Sequence, residues 1–391
     1  MVSNGDEESS AHIPENTKNS SFFRYNSPLV QVILIGFVCF CCPGMLNALS
    51  GMGGGGQLDH TASNNSLTAL YTIFAIFGIL GGGIYNVLGP HFTLFAGCST
   101  FVLYTSSFLY YNHYHHQAFA IVTGALLGVG AGLLWAAQGA IMTCYPPSNR
   151  KASKVVRDDG SKCTNILYSN VSTECLEILK LFFNWKMLLL VPAAWSSNFF
   201  YPYQFNNVNG VLFNLRTRGL NSVCYWGAQM LGSVGIGYIM DFSFKSRRVR
   251  GLVGIGVVAI IGSVIWGGAL ANQLSYSSND LPEKLDFKYS GSHFAGPFVL
   301  YFCFGLLDAI FQSMVYWVIG ALADDSEILS RYTGFYKGIQ SAGAAVAWQV
   351  DEHKVSFMSQ LIVNWVLTSI SYPLLFVLVI LAVKEDINSV T

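Results

Sequence analysis

Charge is scarce in this chain. Asp, Glu, Lys and Arg make up 11% of its 391 residues, against about 25% in average soluble domains. The few charges cancel, since 21 Lys and Arg face 21 Asp and Glu. A neutral chain offers no bulk electrostatic reason to bind nucleic acid. Residues 1–28 lack the basic start, short apolar core and small-residue cleavage site of a signal peptide. They read as a disordered cytoplasmic tail ahead of a first helix that serves as signal anchor. No nucleophile–base spacing, phosphate loop or metal constellation occurs, so no enzyme activity, cofactor or metal is expected. Gly51-Met52-Gly53-Gly54-Gly55-Gly56 has glycines but no preceding strand and no Gly-Lys-Ser/Thr ending, and reads as an extracellular turn. Nor do the nine cysteines form a disulfide framework. Cys39, Cys41, Cys42, Cys98, Cys224 and Cys303 lie in apolar runs, where Cys behaves as a small hydrophobe. His113, His115 and His116 share a polar loop with no carboxylate beside them, which favours an exposed loop over a metal site.

What the chain has is hydrophobic length. Apolar residues are 52% of the total, gathered in runs near the 20 or so residues a helix needs to cross a bilayer. Ten spans are expected: Leu29–Leu49, Leu67–Leu88, Phe92–Tyr111, Gln117–Thr143, Met187–Phe205, Leu220–Phe242, Gly251–Ala271, Gly296–Leu322, Gly334–Val350 and Leu361–Val383. With the N-terminus inside, only Arg216, Arg218, Lys284, Lys288 and Lys354 of the 21 basic residues fall outside. Lys337 falls within a span and the rest lie inside, so the positive-inside rule places both termini in the cytoplasm. The fold class that follows is an all-α polytopic membrane protein of about ten transmembrane helices, four plus six. The halves are expected at 29–145 and 187–383, joined by a cytoplasmic linker at 146–186, with a tail at 384–391. Leu176, Leu179 and Phe183 give the linker a short amphipathic helix. Asn64-Asn65-Ser66 is a glycosylation triplet very close to the second span.

The halves repeat one another. Gly132-Leu133-Leu134-Trp135-Ala136-Ala137-Gln138 is echoed by Gly305-Leu306-Leu307-Asp308-Ala309-Ile310-Phe311-Gln312. Pro43 to Asn47 in the first span matches Pro202 to Asn206 in the fifth. Prolines there free a carbonyl and kink the axis, usually beside a cavity. Gly82 to Asn86 in the second span matches Gly237 to Asp241 in the sixth. Parallel repeats of this kind indicate a two-half transporter fold.

Asp308 is the sharpest candidate residue. A carboxylate at mid-span costs about 2.5–3.5 kcal/mol on insertion scales unless paired or protonated. Gln312 and Tyr316 follow at helical spacing, so the three form one polar stripe suited to proton or cation coupling. The alternative is a neutral acid held for packing. Trp135 and Gln138 occupy the matching place in the first half, where Trp can stack on a solute and Gln can donate and accept. Asn47 and Asn206 join them as substrate candidates, with Tyr201, Tyr203 and Gln204 as a polar patch near the outer end of the fifth span. Lys337 looks unsuited to pair with Asp308. The former is about four residues, roughly 6 Å, inside its apolar run, and the latter about 14 residues, roughly 20 Å, from the same membrane face. Lys337 is therefore expected to snorkel toward Asp324, Asp325 or Glu327. Asp241, Arg247, Arg248 and Asn86 are candidates for a conformational latch. Gly124, Gly128 and Gly132 give the fourth span a small-residue face for close helix contact.

Gly237-x-x-x-Asp241 followed by Arg247-Arg248 resembles the loop signature of the major facilitator superfamily. Four longer blocks resemble its uncoordinated-ninety-three-like, or ion channel regulatory protein, branch. They are Cys42–Ala48, Gly132–Gly139, Ser197–Gln204 and Tyr332–Gly338, and the likeness covers nearly everything after Ser27. The resemblance implies twelve spans with substrate handled between two halves of six. It also implies that some animal relatives regulate or traffic other membrane proteins. Two of the twelve, the fifth and sixth, are missing here between Arg150 and Lys186. Their absence is expected to expose a groove, including the Gly124–Gly132 face. Two functions follow: secondary transport of a small solute by alternating access, or a non-transporting regulator or trafficking partner, an inactive truncated isoform included. The expected partners are the lipid bilayer and a small-molecule substrate, with a second copy or a client membrane protein under the second reading.

Overall fold

The computed structural model describes residues 28–52, 59–144, 155–156, 162–163, 171–277, 279–323 and 326–383. The N-terminal tail, most of the 146–170 stretch, Asp324, Asp325 and the residues from Lys384 onward lie outside that description. The described chain is helical but for a two-residue ladder, Val155–Val156 against Lys162–Cys163, and two isolated bridges. α1 (Pro28–Cys39) runs through a π turn at Phe40–Gly44 into α2 (Met45–Gly51). Then come α3 (His60–Leu88), α4 (Pro90–Tyr114), α5 (Gln117–Cys144) and the short α6 (Val171–Leu181). α7 (Trp185–Ser196) breaks before a second π segment, Tyr203–Gly210. The remainder is α8 (Leu215–Phe242), α9 (Arg247–Gln273), α10 (Ala295–Leu322), α11 (Ser326–Glu352) and α12 (Phe357–Ala382).

Local chemistry sets these boundaries. Asp59, Asn184, Asn214, Ser246 and Ser356 each accept a backbone N–H of the first turn they precede, supplying partners that a helix start otherwise lacks. α3 stops at Gly89, whose φ of 78° is left-handed, and Pro90 opens α4. Both matched prolines sit at the π segments: Pro43 inside the first, Pro202 directly before the second. A missing N–H breaks the regular ladder, and a π turn absorbs the break.

Among the described residues, seven helical passages are long and apolar enough to cross a membrane by length and composition. The other three expected spans are α7 with its π segment, α8 and α11. All three are helical, but one is broken and two are more polar. They bring Asn198, Tyr201, Gln229, Lys337 and Gln340 to the molecule's interior.

The two Gly-Leu-Leu blocks occupy equivalent places. A Cβ on Gly132 would meet the Phe77 carbonyl carbon of α3 at 2.7 Å, and one on Gly305 would meet that of Tyr225 of α8 at 2.9 Å. α5 therefore packs on α3 as α10 packs on α8, and the fold is a major facilitator-type bundle of two similar halves. The exposed small-residue face expected on α5 is not found. Gly124 and Gly128 also press on α3, at Ser66 and Ile73. An open face lies on α8, where a Cβ added to Gly227, Gly235 or Gly237 would meet nothing within 4 Å outside its own helix backbone. Val223, Met230, Val234 and Tyr238 stand exposed along it.

The halves meet chiefly through α3 and α11. A Cβ on Gly338 would lie 2.8 Å from the Ala75 carbonyl oxygen, so only glycine allows this approach. At one end α6 bridges the two helices. Its Glu174, 3% exposed, receives Arg331 Nε at 3.0 Å and Nη2 at 2.7 Å. At the opposite end Asp286 anchors the 279–290 loop to the start of α8 through Asn214 and Arg216, and accepts the Lys288 amide within the loop.

Candidate functional site

Asp308 lies near the middle of α10 and is 1% exposed. A buried carboxylate is tolerable only when its oxygens find donors. Gln312 Nε2, one turn on, donates to Oδ1 at 2.5 Å. Oδ2 accepts the hydroxyls of Tyr201 and Tyr225, each at 3.1 Å, and the Gln229 amide. The break after α7 delivers Tyr201, and the spacing of four along α8 puts Tyr225 and Gln229 on one face. Tyr225 Oη also stands 2.8 Å from Gln204 Oε1. Its single proton serves Gln204 or Asp308, not both at once.

This acid lines neither of the two inner cavities, contrary to a stripe open along its length. Its partners do. A central cavity of about 170 Å³ is bounded by Tyr201, Gln229, Gln312, Asn198, Gln340 and Lys337 from the second half. Asn47, Tyr71, Phe74 and Trp135 close it from the first half. A second cavity of about 220 Å³, toward the α6 end, is lined by Trp135, Gln138, Tyr316, Thr333 and Lys337. The stripe is thus divided, with Asp308 behind the wall, Gln312 on the central cavity and Tyr316 on the other.

Lys337 stands where the cavities adjoin, which corrects the expectation of a snorkelling side chain. α11 begins at Ser326, well before the apolar run, so Lys337 is eleven residues and roughly 16 Å along the helix. Its Nζ lies 4.5 Å from the Trp135 ring centroid and 5.3 Å from that of Tyr316. It donates to Gln340 Oε1 at 2.8 Å. Gln340 Nε2 in turn donates to Gln312 Oε1 at 2.9 Å and to Asn198 Oδ1 at 2.8 Å. Sequence reasoning missed Asn198, Gln229 and Gln340. Amides at mid-span in α8 and α11 were the available signal, since lipid offers them no partner.

Asn206 belongs elsewhere. With Asn64 and Gln360 it donates to the buried carboxylate of Asp351, at 2.8, 3.1 and 3.3 Å respectively. His60 Nε2 is 3.1 Å from the same Asp351. This cluster ties α3 to α11 and α12 beside a cavity of about 670 Å³ at the end opposite α6. Asn64 is fully buried in it, so the glycosylation triplet presents no free asparagine. Of the polar patch, Tyr201 and Gln204 join the Asp308 group, while Tyr203 donates to Gln273.

The latch candidates do not form an Asp–Arg pair. Asp241 Oδ1 accepts the Trp317 indole N–H at 3.1 Å. Arg247 and Arg248 donate to the Gly320 and Val383 carbonyls, closing the ends of α10 and α12. Asn86 lies within α3 near the α6 end.

Two matched halves around an internal polar cavity define a major facilitator-type membrane protein. The model of the ion channel regulatory protein UNC-93 family matches residues 54–155. UNC93-like protein 1 of Arabidopsis thaliana is 61% identical, covering 95% of this chain and 94% of the relative. An UNC93-like protein of Schizosaccharomyces pombe is 37% identical over 88% of this chain and 80% of its own length. The chain belongs to the UNC93-like family. The Arabidopsis alignment runs over 432 positions, although 95% of this chain's 391 residues supplies only about 370, so about sixty face gaps, room for two spans of roughly 20 residues.

Proposed function

We propose that the chain moves a small solute by alternating access, with Asp308 as the coupling acid and both termini in the cytoplasm. The observation that carries this reading is the placing of Asp308. A buried carboxylate, held by three donors and sharing a fourth, Tyr225, with Gln204, backs onto a cavity enclosed by both halves. Protonation would weaken its claim on those donors, and three of them, Tyr201, Gln229 and Gln312, line the cavity. Proton binding at Asp308 and solute binding at the wall are then linked. Asn47, Trp135 and Gln312 face the solute, Gln138 and Tyr316 line its path toward the α6 end, and Asn206 belongs to the closure at the other end. Asp241, Arg247, Arg248 and Asn86 are assigned to the helix ends that move as the halves rock.

The test is uptake into proteoliposomes from a metabolite mixture under an imposed proton or cation gradient. Gradient-dependent uptake is expected, and Asp308→Asn abolishes the dependence. Unchanged dependence in that variant removes Asp308 from the mechanism.

A second reading, a regulator or trafficking partner of another membrane protein, has its own support. The family model carries the description of an ion channel regulatory protein, and α8 presents an open face of glycines and apolar side chains. Cysteines placed at Met230 and Val234 should cross-link to another polypeptide in native membranes under this reading, and to none if the bundle is self-sufficient.

A further inference from the structure

Lys337 is a cation with no carboxylate at hand. Among the described residues, no Asp or Glu oxygen lies within ion-pairing distance of Nζ. Its partners are Gln340 Oε1 and the ring faces of Trp135, Tyr316 and Tyr336, the last at 5.6 Å. It lines both inner cavities. The charge that balances it is reached only through two amides. Lys337 donates to Gln340, Gln340 to Gln312, and Gln312 to Asp308. Every link donates toward the acid, the orientation expected of a chain with an ammonium at one end and a carboxylate at the other. Asp308 already has three donors, shares Tyr225 with Gln204 and sits behind the wall. Lys337 has one oxygen acceptor and faces open space.

From this asymmetry we infer that the central cavity takes a small monoanionic carboxylate with an apolar body, received by Lys337. The inference deepens the transport reading and rests on it for the coupling step. A solute carboxylate supplies the acceptors that Lys337 lacks, in a charge-assisted contact. A cationic solute would meet Lys337 first and find the Asp308 oxygens occupied. One lysine balances one negative charge, which disfavours a dianion. Tyr71, Phe74, Phe101, Trp226 and Trp348 supply apolar wall for the rest of the molecule. The small volume, about 170 Å³, suits a compact solute rather than a drug-sized one.

Binding of the anion leaves the Lys337–Asp308 chain one negative charge in excess. A proton taken up on an Asp308 oxygen restores neutrality, and the acid then donates to the Tyr201 or Tyr225 hydroxyl oxygen. One proton accompanies one anion, and each raises the affinity for the other by the same factor.

The test uses the full chain in lipid nanodiscs and isothermal calorimetry with benzoate, its neutral analogue benzamide and the cation benzylamine. Benzoate should bind about tenfold or more tightly than either analogue. Lys337→Gln should lose that preference and Lys337→Arg should keep it, with size-exclusion profiles and melting curves confirming that both variants fold. Titrations in buffers of different ionisation heat should show proton uptake with benzoate in the native chain and none in Asp308→Asn. Equal binding of benzamide or benzylamine, or native benzoate affinity in folded Lys337→Gln, overturns the inference. So does the absence of benzoate binding to a monodisperse protein. Lys337-dependent benzoate binding without gradient-driven flux in liposomes would keep the anion site and remove transport. Asp308-dependent flux of an uncharged solute without benzoate binding would do the reverse.

Discussion

The ammonium of Lys337 lies 4.5 Å from the ring of Trp135, and the two residues come from opposite halves of the chain. Their contact forms part of the wall between the central cavity and the α6-end cavity, and it joins α5 to α11. Stacking a cation on indole is worth about 0.5–2 kcal/mol. A double-mutant cycle of Trp135→Leu and Lys337→Gln, read by thermal unfolding in nanodiscs, should return a coupling of that size. Additive effects would show that the two residues pack independently.

Glu174 and Arg331 form a two-bond ion pair with side chains only 4% and 12% exposed. Removing one member of a buried pair typically costs about 3–5 kcal/mol, whereas replacing both by apolar residues costs less. Glu174→Gln should therefore lower the melting temperature more than Glu174→Leu combined with Arg331→Met. Trypsin sensitivity near α6 should rise in the single variant.

The approach of α3 to α11 depends on Gly338. An added methyl would collide with the Ile79 side chain and the Ala75 carbonyl. Gly338→Ala should cost about 1–3 kcal/mol through overpacking. Ile79→Ala in the same chain should recover part of the loss, because it clears the side chain but leaves the carbonyl.

Asp286 gives the loop at the far end an acid limit. The Lys288 backbone N–H, with the Asn214 amide and Arg216, holds its carboxyl below the ordinary 3.8, at about 2. A depressed carboxyl contributes stability that is present above its unfolded value and is lost as pH falls through the folded one. Hydrogen exchange at the amides of Asn214 and Lys288 should accelerate as pH falls from 3.8 toward about 2, after correction for the intrinsic rate. Asp286→Asn should flatten that dependence.

Asn64 should carry no glycan. It is fully buried and donates to Asp351. Glycosidase treatment of protein from eukaryotic membranes should leave the mobility of this region's tryptic fragment unchanged. Asn64→Ala should be destabilising by about 1–3 kcal/mol, because it removes a donor from a buried carboxylate.

Much of the architecture was legible in the residues alone. Membrane class, helix type and the pairing of halves follow from run length, glycine placement and repeated short blocks, which are properties of neighbouring residues. Asp308 stood out for the same reason, since a carboxylate in an apolar run is conspicuous wherever it points. Its connection to Gln312 followed from one helical turn.

The placing of Lys337 was not legible. Its depth depends on α11 starting at Ser326, in a polar stretch that hydropathy assigns to a loop. Its partner Trp135 belongs to a helix in the other half. Likewise Gly124 and Gly128 announce a close contact without saying whether the neighbour is α3 or another chain. Asn198, Gln229 and Gln340 are ordinary amides until the halves close and lipid is excluded from between them. Local sequence determined which segments are helices and which faces are small or polar. Only packing decided which polar groups meet, because an amide or ammonium in a membrane takes whatever partner the opposing helix presents.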